Sequence, residues 1–242
     1  LLIIEGSSLS YVLIDRYFIS DVSTGGIAAL NYAFVIFSLP ISLFSIPLIT
    51  TMFSKFSNSP QTLNVDFKNS LNMNFFIMIP FVFIFFFWGD YFLHLFYERG
   101  KFTSGDTLLT YSALQYYSFS LVFLSTYFLI VKILYSISQY LFVLKISLAA
   151  FVLKIALNIL LVKDFQQDGL ALSTSIIFAF LCISSFFFLI MKNTKINGRS
   201  IIEFLIYFIV NGFIAYLISN LVLDSNKLLI IDFKISVIFV FI

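Results

Sequence analysis

Two membrane helices joined by a short loop are predicted by the stretch Leu13–Ser57, LIDRYFISDVSTGGIAALNYAFVIFSLPISLFSIPLITTMFSKFS. The loop Asp21–Gly26 contains Asp, Ser, Thr and paired glycines, which are typical turn residues. The segment Ile27–Phe53 is almost wholly apolar, and as a helix it is long enough to cross about 30 Å of hydrocarbon. Pro40 and Pro47 predict kinks in this helix, which neighbouring membrane helices accommodate.

The composition of the whole chain is that of a membrane protein. Of its 242 residues, 61% are hydrophobic and 11% are charged, whereas a soluble domain has roughly 25% charged residues. The net charge of +2 provides no basic field of the kind that nucleic-acid binding requires. With a single cysteine, Cys182, and a single histidine, His94, we expect neither a disulfide framework nor a metal centre. No cofactor-binding motif is present.

The apolar segments predict an all-α, polytopic membrane helix bundle. Their runs of about 20 residues lack the alternation of a membrane β-barrel. The first and last residues of the chain lie within apolar runs, so we expect it to be part of a longer membrane protein. We predict seven spans and the start of an eighth near Lys234: Leu1–Ser20, Ile27–Phe53, Ser70–Trp88, Thr107–Tyr135, Leu141–Val162, Gly169–Met191 and Ile201–Leu223.

The charges of the loops predict how the spans are oriented. The loop Lys192–Arg199 is the most basic and lacks acidic residues, so the positive-inside rule places it in the cytoplasm. The acid-containing loops then lie outside, and the first span begins in the cytoplasm. These external loops are Asp21–Gly26, Gly89–Asp106, Lys163–Asp168 and Asp224–Asp232.

Polar residues within the first two spans form a candidate substrate cavity, because polar groups in lipid are usually functional. These residues are Asp15, Arg16, Asn31 and Ser38. In one interpretation, Asp15 faces a water-filled cavity and binds a cation or a substrate group. In the other, Asp15 and Arg16 are interfacial residues, with Arg16 extending towards the lipid headgroups.

A second candidate site involves the fifth span. Lys154 and Asn158 are four residues apart and therefore share one helix face. Because Lys154 lies well inside the span, we expect it to have a buried partner, and we predict Asp15. Thr174, one turn into the sixth span, would complete a charge-pair or cation site. Alternatively, Lys154 donates hydrogen bonds to backbone carbonyl groups of a kinked neighbouring helix.

The external loop after the third span contains His94 and Glu98, four residues apart. Such a pair suggests acid/base chemistry, but it is also typical of a solvated loop. Gly100 predicts a helix end, and Thr103 or Ser104 predicts the cap of the next helix.

Several short motifs, taken in order, resemble the MurJ/MviN-type lipid II flippases of the multidrug/oligosaccharidyl-lipid/polysaccharide exporter superfamily. The resemblance covers nearly the whole chain. The matching residues are Asp15-Arg16-Tyr17-Phe18, Ala29-Leu30-Asn31-Tyr32-Ala33, Leu39-Pro40, Ser54, Leu95 to Thr103, Asp106-Thr107 and Gly169 to Ser175.

This resemblance implies a fold of fourteen helices, of which the chain contains the seventh onward. Residues 1–191 would form the C-terminal six-helix lobe and residues 192–242 additional helices, with the N-terminal lobe absent from this chain. The two lobes would move around a central cavity by alternating access. The implied cargo is lipid II, the peptidoglycan precursor on an undecaprenyl-pyrophosphate carrier, in the bacterial cytoplasmic membrane.

The sequence departs from the family pattern at two positions. Val35 stands where many members have a cavity arginine, and a diphosphate prefers bidentate cations. This difference argues against lipid II as cargo or assigns the contact to the other lobe. Lys154 stands where members often have Asn, and some members are coupled to a cation in this lobe. The ammonium group would then replace a bound metal cation, which predicts transport without sodium.

Other functions remain open on the sequence alone. The chain could belong to an exporter of another lipid-linked polysaccharide or of a small molecule. It could also be a non-transporting membrane scaffold, or a polyprenyl-linked glycosyl transferase or polymerase that uses His94 and Glu98.

Overall fold

The computed structural model describes residues 11, 13–18, 25–51, 63–192, 206 and 209–214. Within these ranges the regular secondary structure is helical and contains no strand, which confirms the all-α prediction. We label the helices in chain order as α1 (residues 13–18), α2 (Gly26–Pro40), α3 (Leu63–Tyr97), α4 (Ser104–Ser118), α5 (Ser120–Ser136) and α6 (Tyr140–Met191).

Among the described residues, three stretches are long and apolar enough to cross a membrane, and the bent pair α4 and α5 makes a fourth if it is one span. The three are Gly26–Thr51, which contains α2, Val65–Tyr97 and Tyr140–Met191. The last one consists of two helices that meet at Gln166, where the backbone has φ 51° and ψ −128°. These helices correspond to the predicted second to sixth spans. Most of the first predicted span, most of the seventh and the whole of the eighth lie outside the described residues.

A π-helical turn, Ile41–Ser45, follows Pro40, and the chain then stays helical to Thr51. Proline has no amide hydrogen and disrupts the regular hydrogen-bond ladder of an α-helix. The irregularity predicted at Pro40 therefore takes the form of one wider turn, a feature that is common at functional sites.

The predicted single helix Thr107–Tyr135 is instead two helices, which meet at Phe119 with a bend of 44°. Two serine hydroxyls flank the bend and donate to backbone carbonyls one turn earlier. Ser118 Oγ lies 2.7 Å from the Gln115 carbonyl, and Ser120 Oγ lies 2.6 Å from the Tyr117 carbonyl. Such bonds compete with the backbone ladder and bend helices. Hydropathy does not report this competition, so the bend was not predicted.

Helix α3 continues beyond its predicted end at Trp88. The backbone is kinked there (φ −128°, ψ 17°), but the helix resumes and ends at Tyr97, so the predicted loop Gly89–Asp106 is shorter than expected. The Phe86 carbonyl beside the kink accepts hydrogen bonds from Tyr111 and Gln115 of α4 instead. Thr103, one of the two predicted cap residues, then caps α4.

Packing in the bundle centres on α4 and α5. Helix α4 contacts α2, α3 and α6, while α5 contacts α3 and α6. Side chains such as Phe37, Met78 and Leu114 are fully buried between them, whereas Leu108, Leu160 and other large apolar side chains face outward. Apolar residues on both the inside and the outside of a bundle are typical of helices surrounded by lipid.

Candidate functional site

A buried ion pair joins α1 to α6. Lys154 Nζ lies 2.8 Å from Asp15 Oδ1, and the two side chains are 0% and 10% exposed. Charged groups at such depth are costly unless they are paired and hydrogen-bonded. The pair therefore depends on the polar groups that surround it.

The Lys154 ammonium group finds more acceptors than it has N–H groups. In addition to the carboxylate, it donates to Ser173 Oγ at 2.8 Å and to Thr174 Oγ1 at 2.6 Å, and the Leu170 carbonyl lies 3.3 Å away. An ammonium has three donors. All three can be satisfied without water.

The Asp15 carboxylate accepts further hydrogen bonds. Asn158 Nδ2 donates to Oδ1 at 2.8 Å, and Thr174 Oγ1 lies 3.4 Å from Oδ2. Ser173 in turn donates to Asn158 Oδ1. We call Asp15, Lys154, Asn158, Ser173 and Thr174 the charged cluster; its formal charge is zero, and hydrogen bonds connect all its members.

Local sequence explains why the two halves of α6 meet at this cluster. Lys154 and Asn158 lie one turn apart on the first half, and the chain reverses at Gln166. Gly169 then packs against the first half so closely that a Cβ atom there would lie 2.5 Å from the Leu161 carbonyl oxygen. This approach places Ser173 and Thr174, one turn further on, beside Lys154.

A cavity of about 210 Å³ opens next to the charged cluster. It lies between α1, α2, α4, α5 and the second half of α6, and most of its wall is apolar, including Phe34, Phe37 and Phe178. The polar and charged side chains of α1, α2, the π-helical turn and α6 that line it are Asp15, Arg16, Asn31, Ser38, Ser42 and Thr174. Asp15 and Thr174 thus belong to both the cluster and the cavity wall.

Arg16 connects the first two helices at this cavity. Its exposed guanidinium group donates to Asn31 Oδ1 across 3.3 Å. Further along the chain, Ser38 of α2 and Ser42 of the π-helical turn donate their hydroxyl groups to the carbonyls of Val35 and Leu39. These residues form a polar strip on an otherwise apolar wall.

The structure brings all the predicted site residues into these two adjoining groups. Asp15, Lys154, Asn158 and Thr174 lie in the charged cluster, while Arg16, Asn31 and Ser38 line the cavity with Asp15 and Thr174. Their functional roles remain predictions.

Sequence reasoning missed Ser173, which bridges Lys154 and Asn158, and Ser42 in the cavity wall. Ser173 precedes Thr174 and could have been identified from its position one turn after Gly169.

A second buried polar group was not predicted at all. Asn74 of α3 is fully buried and donates to Ser125 Oγ at 2.9 Å, while Ser45 Oγ donates to Asn74 Oδ1 at 3.2 Å. Ser45 belongs to the π-helical turn, so these contacts connect it to α3 and α5. An asparagine within an apolar span is the signal that would have indicated this group.

His94 and Glu98 do not form a comparable site. Their side chains are 3.9 Å apart, and Glu98 accepts a hydrogen bond from Thr107 of α4 at 2.9 Å. Within the part of the chain that the structure describes, no group of three or more His, Cys, Asp or Glu side chains is arranged to hold a metal ion.

Apolar spans that enclose a charged cluster and a partly polar cavity define a multi-pass helical membrane protein. The family described as "Lipid II flippase MurJ" matches residues 2–236. The chain belongs to this family.

Individual relatives agree with this assignment. A "Probable lipid II flippase MurJ" from Borreliella burgdorferi is 30% identical over 205 residues, covering 82% of this chain and 40% of that protein. A "Lipid II flippase MurJ" from Thermosipho africanus is 31% identical over 151 residues, covering 61% of this chain and 31% of that protein.

A solved structure, "Lipid II flippase MurJ, inward closed conformation", superimposes with a TM-score of 0.81 at 25% identity. The match covers 97% of this chain and 50% of that one. This chain therefore spans less than half of the first curated relative and half of the solved structure.

Proposed function

We propose that this chain is the C-terminal lobe of a flippase that moves lipid II across the bacterial cytoplasmic (inner) membrane for cell-wall synthesis. Residues 1–191 form the six-helix lobe, and residues 192–242 add further C-terminal helices. The lobe works with an N-terminal lobe of the same protein by alternating access, surrounded by membrane lipids. Such a protein is a transporter and not an enzyme.

The observation that supports this proposal most is the position of the cavity beside the charged cluster. A membrane protein that needs only stability has little use for a buried ion pair, since apolar residues of similar volume often stabilise as well or better. Ionisable residues inside membranes commonly mark substrate or ion pathways. Here the carboxylate of Asp15 belongs both to the ion pair and to the cavity wall, so a group bound in the cavity would lie next to the ion pair.

The test is whether the complete protein that carries this chain rescues bacteria depleted of their own lipid II flippase. Rescue, together with lipid II movement in reconstituted vesicles, would support the proposal and would exclude a passive scaffold. Lys163→Ala offers a control, because this lysine is exposed on the same helix as Lys154 and should leave rescue intact. Failure of well-expressed protein to move lipid II would refute the proposal.

A second candidate is an exporter of another lipid-linked polysaccharide. It is favoured by Val35, which stands where the resemblance to the family implies a cavity arginine. The Val35 side chain is 49% exposed. Such an exporter would transport its own lipid-linked glycan in vesicles and would leave lipid II in place.

The charged cluster further supports transport that does not depend on sodium. The Lys154 ammonium lies among carboxylate, hydroxyl and carbonyl oxygens, which are the ligands that hard cations prefer. A tethered cation in this position leaves no space or charge for a metal ion. Replacing sodium with choline in the flipping assay should therefore leave the rate unchanged, and a loss of flipping in choline would contradict this assignment.

A further inference from the structure

We infer that Arg16 binds the phosphate groups of the cargo at the mouth of the cavity. This inference rests on the proposed function, because it requires that a lipid-linked head group enters the cavity. It assigns the anion contact to a residue of α1, although the family pattern has its arginine on the next helix.

The charges around the cavity leave it with a net positive charge. Among the described residues, Asp15 and Arg16 are the charged side chains in the cavity wall. Without Lys154 their charges would cancel. Because Lys154 lies 2.8 Å from Asp15 Oδ1 and compensates it, Arg16 remains as one net positive charge, and the cavity favours an anion.

The guanidinium group of Arg16 has few contacts within the protein. In the part of the chain that the structure describes, no carboxylate forms an ion pair with Arg16, and its guanidinium group donates one hydrogen bond, to Asn31 Oδ1 at 3.3 Å. A guanidinium group has five N–H donors in a planar fork that matches phosphate oxygens. Most of these donors remain available in an exposed group at the cavity.

Asn31 positions the Arg16 guanidinium group next to α2. Val35 is one turn after Asn31, so both lie on the same face of α2. The Arg16 guanidinium is therefore held beside this face of α2. Ser38, one turn further, lines the same cavity and can rotate its hydroxyl group towards a second phosphate oxygen.

The experiment measures binding to the complete protein in nanodiscs of neutral lipid, with undecaprenyl diphosphate as the anionic probe and undecaprenol as its uncharged counterpart. Arg16→Gln should weaken diphosphate binding by about tenfold or more, as expected for a charge-assisted contact, and should leave undecaprenol binding unchanged. Arg99→Gln removes the same charge from an exposed loop residue and should bind both probes like the wild type.

A compensating variant tests the geometry. Adding Val35→Arg to Arg16→Gln should restore part of the diphosphate affinity, because the new guanidinium group lies on the adjoining helix face. The melting temperature of each variant shows whether it is folded.

Equal diphosphate affinity in wild type and folded Arg16→Gln would overturn the inference while leaving the proposed function intact. That result would mean that Arg16 only anchors the helix at the lipid headgroups. A wild-type protein that binds the diphosphate no better than undecaprenol would overturn the proposed cargo class, and the inference with it.

Discussion

Removing either partner of the ion pair between Asp15 and Lys154 should destroy function, while removing both should do less harm than the two losses added together. At 2.8 Å and an effective dielectric constant of about 20, the Coulomb attraction is roughly 6 kcal/mol. Part of this attraction offsets the desolvation of both charges. Breaking a buried pair by removing one partner typically costs about 3–5 kcal/mol, because the other charge is left uncompensated.

The single variants differ in what they leave behind. Asp15→Ala leaves a buried ammonium that retains three oxygen neighbours: Ser173, Thr174 and the Leu170 carbonyl. Lys154→Ala leaves a carboxylate with hydrogen bonds from Asn158 and Thr174. We expect each to lower the free energy of unfolding by several kcal/mol, and the double variant to fall short of their sum by about 1–3 kcal/mol.

The assay is a double-mutant cycle on the complete protein, measured by reversible unfolding in mixed micelles and by rescue of flippase-depleted cells. Lys163→Ala, Asp164→Ala and their combination form the matched control. Both control side chains are exposed on the same helix, so their effects should lie within about 0.5 kcal/mol. Additivity of the Asp15 and Lys154 losses to within about 0.5 kcal/mol would refute the reasoning, since the two residues would then not act as one unit.

Three further predictions concern other parts of the bundle. Gly169→Ala should destabilise the protein by about 1–3 kcal/mol and impair rescue, because its Cβ would lie 2.5 Å from a backbone oxygen. Gly105→Ala is the control, since its Cβ would lie at an ordinary 3.6 Å from the nearest atom. Equal melting temperatures for the two variants would contradict the close packing of Gly169. Asn74→Ala should lower the free energy of unfolding by about 1–3 kcal/mol, because buried hydroxyl groups lose their partner; an unchanged unfolding midpoint would show that water replaces the amide. His94→Ala should leave rescue and lipid II flipping unchanged, and a variant that folds but no longer supports growth would reopen the enzyme alternative.

Much of the fold could be predicted because each membrane span must satisfy its backbone hydrogen bonds internally and must be apolar over about 20 residues. These requirements apply to each segment separately, so hydropathy located the second to sixth spans. The bend at Phe119 and the continuation of α3 to Tyr97 escaped prediction. Side-chain hydrogen bonds to specific backbone carbonyls accompany the bend at Phe119 and the kink at Trp88 within α3, and a hydropathy average does not contain them.

The candidate site was also predicted only in part. The spacing of Lys154 and Asn158 placed them on one face, and the need of a buried ammonium for a counterion pointed to Asp15. Ser173 was missed because its contacts with Lys154 and Asn158 depend on how the two halves of α6 pack, although its position one turn after Gly169 was a usable signal. The Asn74 contacts with Ser45 and Ser125 were missed because they join three helices that are distant in sequence.

The sequence by itself determined that this chain is an all-α membrane protein of several spans with buried charges, because hydrophobic length and isolated ionisable residues are properties of the segments. Only the tertiary structure decided which charge meets which partner. The close approach at Gly169 and the reversal at Gln166 bring two halves of α6 together around Lys154. An ion pair between residues far apart in the chain forms only where helix packing brings both side chains to one place and excludes water from it.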